Sequence, residues 1–98
     1  MKVNLELMPW LTTAVGYQKP GRLLLEEEMA SEATIGDVLN RVAAREPLFS
    51  KVVFDGTGHV HGCISVVLND RILGQIAALN VKLKDGDTIR LFPTVDGG

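Results

Sequence analysis

Few residues of this chain carry reactive groups, and their types and spacing narrow the chemistry open to them. His59 and His61 stand in "HVH" beside the glycine turn Gly56 to Gly58. On a strand both rings would point the same way and offer two metal ligands. No cysteine or carboxylate cluster of ligand spacing accompanies them, so they are expected to be ordinary exposed histidines with no metal. Cys63 is the only cysteine. With no basic residue beside it to stabilise a thiolate, it is expected to be a buried, inert thiol. Glu26, Glu27 and Glu28 form an acidic run on a strand, where such runs solvate a face or blunt an edge. The glycine spacing of Gly16 to Leu23, "GYQKPGRL", is that of a phosphate-binding loop. Arg22 and Leu23, however, occupy the places of the lysine and the hydroxyl residue, and Pro20 removes a backbone N–H from the cradle. No nucleotide is expected there, and the chain does not read as an autonomous enzyme.

The remaining candidate is the end of the sequence, "TVDGG". Gly97 and Gly98 lack Cβ atoms, so this segment can thread a narrow channel and leave its terminal carbonyl carbon open to attack from either side. A carboxylate is a poor electrophile until one oxygen becomes a leaving group, for example by adenylation. Since the chain offers no nucleotide site, a partner enzyme must supply the activation and use the ATP.

The elements that would position this tail fit one domain over residues 1–98. A chain of 98 residues with 46% hydrophobic and 22% charged side chains can bury about 60 to 65% of its unfolded surface around one core. The formal charge is −2 and the ten Lys and Arg are scattered, which leaves no basic footprint for nucleic acid. No apolar run is long enough to span a bilayer, and "MKVNLELMPW" alternates where a signal peptide would be continuously apolar. A cytoplasmic location is expected, in keeping with a lone cysteine.

Val3, Leu5 and Leu7 alternate with polar residues as in a half-buried strand that Pro9 ends, and Leu23 to Leu25 begin a second strand, forming a hairpin with a long connection. "TIGDVLNRVAAREP" predicts a helix. Thr34 is its N-cap with Asp37 in near match to a capping box, and Ile35, Val38, Leu39, Val42 and Ala43 form one stripe. Pro47 should stop the helix near Arg45. An irregular or extended piece follows, then a strand over Ile64 to Leu68 whose continuous apolar character predicts a central strand buried on both faces. "NDRIL" predicts a tight turn into a short strand. "KDGDTIRLFPT" predicts an Asp-Gly turn and a last strand with Ile89, Leu91 and Pro93 opposed to Arg90, Phe92 and Thr94. The economical arrangement is one mixed sheet across the helix, with Ile35, Leu39 and Val42 against Val3, Leu5, Leu24, Val66, Leu68, Ile89 and Leu91. The first and last strands could then lie side by side, with "VDGG" projecting beyond them.

"LNDRIL" followed by "LKDGDTIRLFPTVDGG" resembles the end of the MoaD/ThiS family of ubiquitin-like sulfur carriers, whose members share an Asp-Gly-Asp turn, a strand ending in Phe-Pro and a terminal Gly-Gly. The opening "KVNLEL", the helix with "LF" after it, and "ISVVLND" fall in the family's order. The resemblance implies an α+β, β-grasp (ubiquitin-like) fold, a mixed sheet of about four to five strands on one main helix, with a flexible Gly-Gly tail from about residue 94. It also implies a carrier rather than an enzyme. A partner resembling ubiquitin-activating enzymes would adenylate the Gly98 carboxylate, sulfur would replace an oxygen, and the thiocarboxylate would serve a sulfur-accepting enzyme such as a molybdopterin synthase large subunit. By motif match, Gly97 and Gly98 are the reactive tail. Phe92 and Pro93 are docking residues, and Thr94, Val95 and Asp96 follow them into the partner. Thr94 stands where molybdopterin synthase small subunits commonly have a second proline. Length and "LFPTVDGG" nevertheless favour that branch, with cysteine synthesis, thiamine, tRNA thiolation and conjugation to lysines as the alternatives.

Overall fold

A computed structural model describes residues 1–18 and 21–94, without the side chains of Gln75 and Ile76. Strand β1 (Lys2–Leu7) buries Val3, Leu5 and Leu7 completely. Pro9 ends it and also opens a short helix, α1 (Pro9–Ala14), since the missing N–H has no partner to lose at a first helical position. Strand β2 (Leu23–Glu28) returns antiparallel to β1. The expected hairpin is present, and its connection carries a helix.

The main helix, α2 (Ile35–Arg45), begins on a complete capping box: the Asp37 N–H donates to Thr34 Oγ1 at 3.2 Å and the Thr34 N–H to Asp37 Oδ2 at 2.9 Å. Ile35, Val38, Leu39 and Val42 are fully buried. At Gly36 a Cβ would lie 2.8 Å from the Leu79 carbonyl oxygen, which accepts the Gly36 N–H at 3.0 Å, so only glycine fits this backbone approach. The helix stops at Arg45 as expected. Pro47 then starts α3 (Pro47–Val53), which buries Phe49 and Val53. This corrects the extended piece expected from "KVVF". The β-branched run is helical because a proline start and two buried side chains outweigh its local preference.

Strands β3 (Ile64–Leu68) and β4 (Arg71–Leu73) form the expected hairpin, with Asn69 at φ 56° in its turn. A single turn of helix, α4 (Gln75–Ala78), leads toward β5 (Thr88–Pro93). The sheet order is β2-β1-β5-β3-β4, with β1 and β5 parallel and every other pair antiparallel. This is the β-grasp arrangement, and the first and last strands do lie side by side. The centre is β5 rather than β3. Ile64, Val66 and Leu68 face the helix while Ser65 and Val67 are half-buried on the other face, so β3 is covered on one side only.

Two assignments on β2 change with its register. Pairing Leu5 with Leu25 and Val3 with Glu27 sets Leu23, Leu25 and Glu27 inward. Leu24 is therefore 58% exposed instead of core, and Glu27, expected on a solvated face, is only 6% exposed. Arg45 makes that burial tolerable by forking onto the carboxylate: Nη1 donates to Oε1 and Nη2 to Oε2, each at 2.8 Å, with Arg41 Nε 3.8 Å away. The hydrogen bonds from Arg45 hold the Glu27 carboxyl below its usual range, and the nearby guanidinium charges add to the effect.

Glu27→Gln should therefore lower stability at neutral pH by about 1 to 3 kcal/mol, toward the low end because Arg45 is half in water. The sign with pH follows from the depressed folded value. The charged pair contributes fully above the unfolded carboxyl's value of about 4.3 and fades as pH falls through the folded one. Urea unfolding of the two proteins should converge in strongly acidic buffer, whereas an equal deficit at acidic and neutral pH would make the loss one of packing.

Candidate functional site

Alternation along β5 divides its residues between two environments. Ile89 and Leu91 are fully buried against the helix, while Arg90 and Phe92 are half-buried on the outer face of the sheet. Cross-strand register assembles the rest. Ser65 pairs with Phe92, and Val67 pairs with Arg90 on one side and Ile72 on the other. Ser65, Val67, Ile72, Phe92 and Pro93 line an outer-face groove of about 470 Å³. Ile72 is 77% exposed.

An ion pair bounds this apolar patch on the β1 side. Arg90 Nε donates to Glu6 Oε1 at 2.8 Å and its Nη1 to the Asn69 carbonyl at 2.9 Å, so the guanidinium is held along the sheet from β1 to the β3–β4 turn. Phe92 is therefore presented beside a fixed charge. The expectation that Phe92 lies outside the main core holds, as does its position on the strand leading to the tail.

Thr94 continues the strand pairing one step past β5. Its N–H donates to the Cys63 carbonyl at 2.8 Å and its hydroxyl to the Gly62 carbonyl at 3.2 Å. A second proline at this position would have no N–H for the first of these bonds. Pro93 and Thr94 are exposed. The expected sites Val95, Asp96, Gly97 and Gly98 lie outside the described residues.

The remaining candidates separate. His59 and His61 lie in a turn rather than on a strand, on either side of Val60, which bridges to Phe54. Asp55 Oδ1 organises this turn by accepting the Thr57 hydroxyl at 2.7 Å, the Thr57 N–H at 2.8 Å and the His59 N–H at 3.2 Å, and the Thr57 bonds hold the Asp55 carboxyl below its usual range. His59 Nδ1 meets the Thr57 hydroxyl at 2.9 Å and His61 Nδ1 accepts the Cys63 N–H at 3.4 Å. Among the described residues no group of three or more His, Cys, Asp or Glu could hold a metal ion. The loop beginning at Gly16 runs into β2, not a helix, so no helix N-terminus follows it to receive a phosphate.

Cys63 corrects another expectation. It is exposed because the inward register of β3 begins at Ile64 and assigns the residue before it to the open side. Ile72 and the Arg90–Glu6 pair were missed in the sequence. The only available signal was the apolar pair Ile72 and Leu73 in "NDRIL", whose faces depend on pairing with Val67 and Val66.

A model of the ThiS family matches residues 15–98. Small archaeal modifier protein 1 of Haloferax volcanii is 31% identical over 91 residues, covering 93% of this chain and 100% of the relative. Its crystal structure superposes with a TM-score of 0.77 at 24% identity, with 100% of both chains covered. A chain of the Amycolatopsis orientalis BexX/CysO complex gives 0.69 at 27% identity, covering 98% of this chain and 99% of its own. Among the described residues no helix is long and apolar enough to cross a membrane.

The exposure of Cys63 has a direct test. In the native protein it should react with a thiol reagent at a rate within about tenfold of the urea-unfolded chain, as an open thiol does. A reaction that waits on unfolding would mean that the thiol is covered.

Proposed function

The chain belongs to the ThiS family of ubiquitin-like sulfur carriers and modifiers, and from that premise we propose that Gly98 is the reactive end of a sulfur carrier. The Gly98 carboxylate attacks the α-phosphorus of ATP in the active site of a partner adenylating enzyme, giving an acyl-adenylate and pyrophosphate. Sulfide then attacks the acyl carbon and displaces AMP, and the resulting thiocarboxylate passes its sulfur, still at the sulfide level, to an accepting enzyme as water cleaves the C–S bond and restores the Gly98 carboxylate. The protein acts as co-substrate in the cytoplasm and needs no cofactor of its own.

The observation that carries this reading is the junction of tail and groove. The central strand runs out through Phe92 and Pro93 beside an apolar hollow and is tied down at Thr94, immediately before Val-Asp-Gly-Gly. A partner that takes the tail meets apolar surface at its root. Molybdopterin biosynthesis is the pathway that length and the "LFPTVDGG" ending favour. A second reading, conjugation of Gly98 to lysines, rests on the likeness to a relative named as a modifier protein. Mass spectrometry of protein from its own cell separates them, since one gives sulfur in place of oxygen at the C-terminus and the other a Gly-Gly remnant on target lysines.

Two variants test the site through ATP–pyrophosphate exchange with the cognate adenylating enzyme. An alanine appended after Gly98 should abolish exchange while circular dichroism stays unchanged, because even about 1 Å of misplacement can cost 100-fold in rate. Undiminished exchange would remove the terminal glycines from the chemistry. Phe92→Ala should weaken binding of the enzyme by about 2 kcal/mol or more, and a large loss of fold stability at unchanged affinity would instead make Phe92 a core residue.

A further inference from the structure

The parallel pairing of β1 and β5 sets Leu7 level with Leu91. Both strands consequently deliver their next residues to the same end of the sheet, Pro93 and Thr94 from β5 and Met8, Pro9 and Trp10 from β1. The chain turns into α1 there because Pro9 opens a helix. Leu11 and Val15 of that segment anchor in the core, and the Thr12 hydroxyl donates to the Leu7 and Met8 carbonyls at 3.3 and 3.1 Å. With these residues inward, Trp10 remains 47% exposed. It is the only tryptophan of the chain. Helix α1 packs against β5 and α3 on the core face of the sheet, while the groove of Val67, Ile72 and Phe92 opens on the outer face.

The length of chain beyond Thr94 limits where a partner can be. Val95 to Gly98 fully extended span at most about 14 Å, little more than the width of one helix with its side chains, about 10 to 12 Å. An enzyme that reacts with the Gly98 carboxylate must therefore bring its surface down around the tail exit on both flanks. An acyl-adenylate is also lost to water, so the rim of that contact has to exclude solvent.

We propose that Trp10 is a second apolar anchor for the adenylating enzyme, across the tail exit from the Phe92–Ile72 groove. This inference rests on the tail chemistry proposed above. The indole covers the core-face side of the exit and the groove covers the outer-face side, so the partner closes on both. Half-exposed tryptophan suits this role, since it gives a large rigid contact area and dominates binding energy where it is buried by a partner.

The test is exchange with the purified adenylating enzyme of the same cell, ATP, magnesium and labelled pyrophosphate. Trp10→Ala should raise the half-saturating concentration of carrier by about tenfold or more with turnover at saturation nearly unchanged, and Trp10→Phe should recover most of the affinity. In protein labelled with 5-fluorotryptophan, the one fluorine resonance should move when the adenylating enzyme is added. If wild-type exchange requires a free Gly98 yet Trp10→Ala saturates like wild type, the anchor is overturned and the tail chemistry stands. If the appended-alanine protein exchanges normally, or wild type does not exchange, the tail chemistry fails and the anchor with it. Should Trp10→Ala misfold, the fluorine resonance decides: movement supports the anchor, and an unmoved resonance in the presence of saturating enzyme overturns it.

Discussion

The parallel contact between β1 and β5 is the constraint on which the rest of the structure depends. It joins residues 84 apart in sequence, as between Glu6 and Arg90. Closing a loop of that length costs about 4 kcal/mol in chain entropy beyond a constant term, and parallel pairs supply slightly less per residue than antiparallel ones. Hydrogen bonds between the two strands could not hold them together alone. They are held because Leu5, Leu7, Ile89 and Leu91 are all fully buried in the same cluster as Ile35, Leu39 and Val42 of α2. The helix is therefore what makes the two strands neighbours, and its capping box and the bare backbone at Gly36 fix where it sits.

The sheet edge on the other side of β1 has a polar fastening. Glu27 would be costly on an inward face without a partner, and Arg45 reaches it from the last turn of α2. Tyr17 packs partly against the same region, and burial together with Glu46 raises its hydroxyl above the usual range. Arg41 adds a bond to the Glu28 carbonyl at 2.8 Å. An acidic strand that looks like solvated surface in sequence is thus clamped to the helix it covers.

What was legible in the sequence were elements whose pattern is self-sufficient. The α2 stripe with its cap and Pro47 stop, the alternation of β1 and the Asp-Gly turn before β5 each carry their own period or turn residue. What was not legible depends on parity set by a distant partner. Leu24, Glu27 and Cys63 each fall on the unexpected side because the face of a strand residue follows from register, and a shift of one residue exchanges the faces. Helix α3 was hidden for a different reason: Val52, Val53 and Phe54 favour strands locally, and the burial of Phe49 and Val53 that decides the matter is tertiary. At the candidate site, Phe92 and Pro93 could be identified from the sequence, while Val67 and Ile72 joined them only through pairing.

The two faces of β5 divide labour in a way that bears on the tail. Ile89 and Leu91 secure the strand from the helix side, so Arg90 and Phe92 on the other face need not contribute to the core. Arg90 is nevertheless immobilised by Glu6 and the Asn69 carbonyl. Fixing a long charged side chain costs rotamer entropy, and this partly buried pair also gives up hydration of both charges, so it is a weak stabiliser. Its larger effect is geometric: it keeps a cation out of the groove and leaves Val67, Ile72 and Phe92 as an uninterrupted apolar surface. That surface, with Thr94 anchored to Cys63 and Gly62 at its edge, gives the segment that follows a fixed root. Under the proposed function, rigidity at the root would reduce the ordering cost of handing the remaining residues to a partner, which is the physical advantage of placing the departing strand at the centre of the sheet.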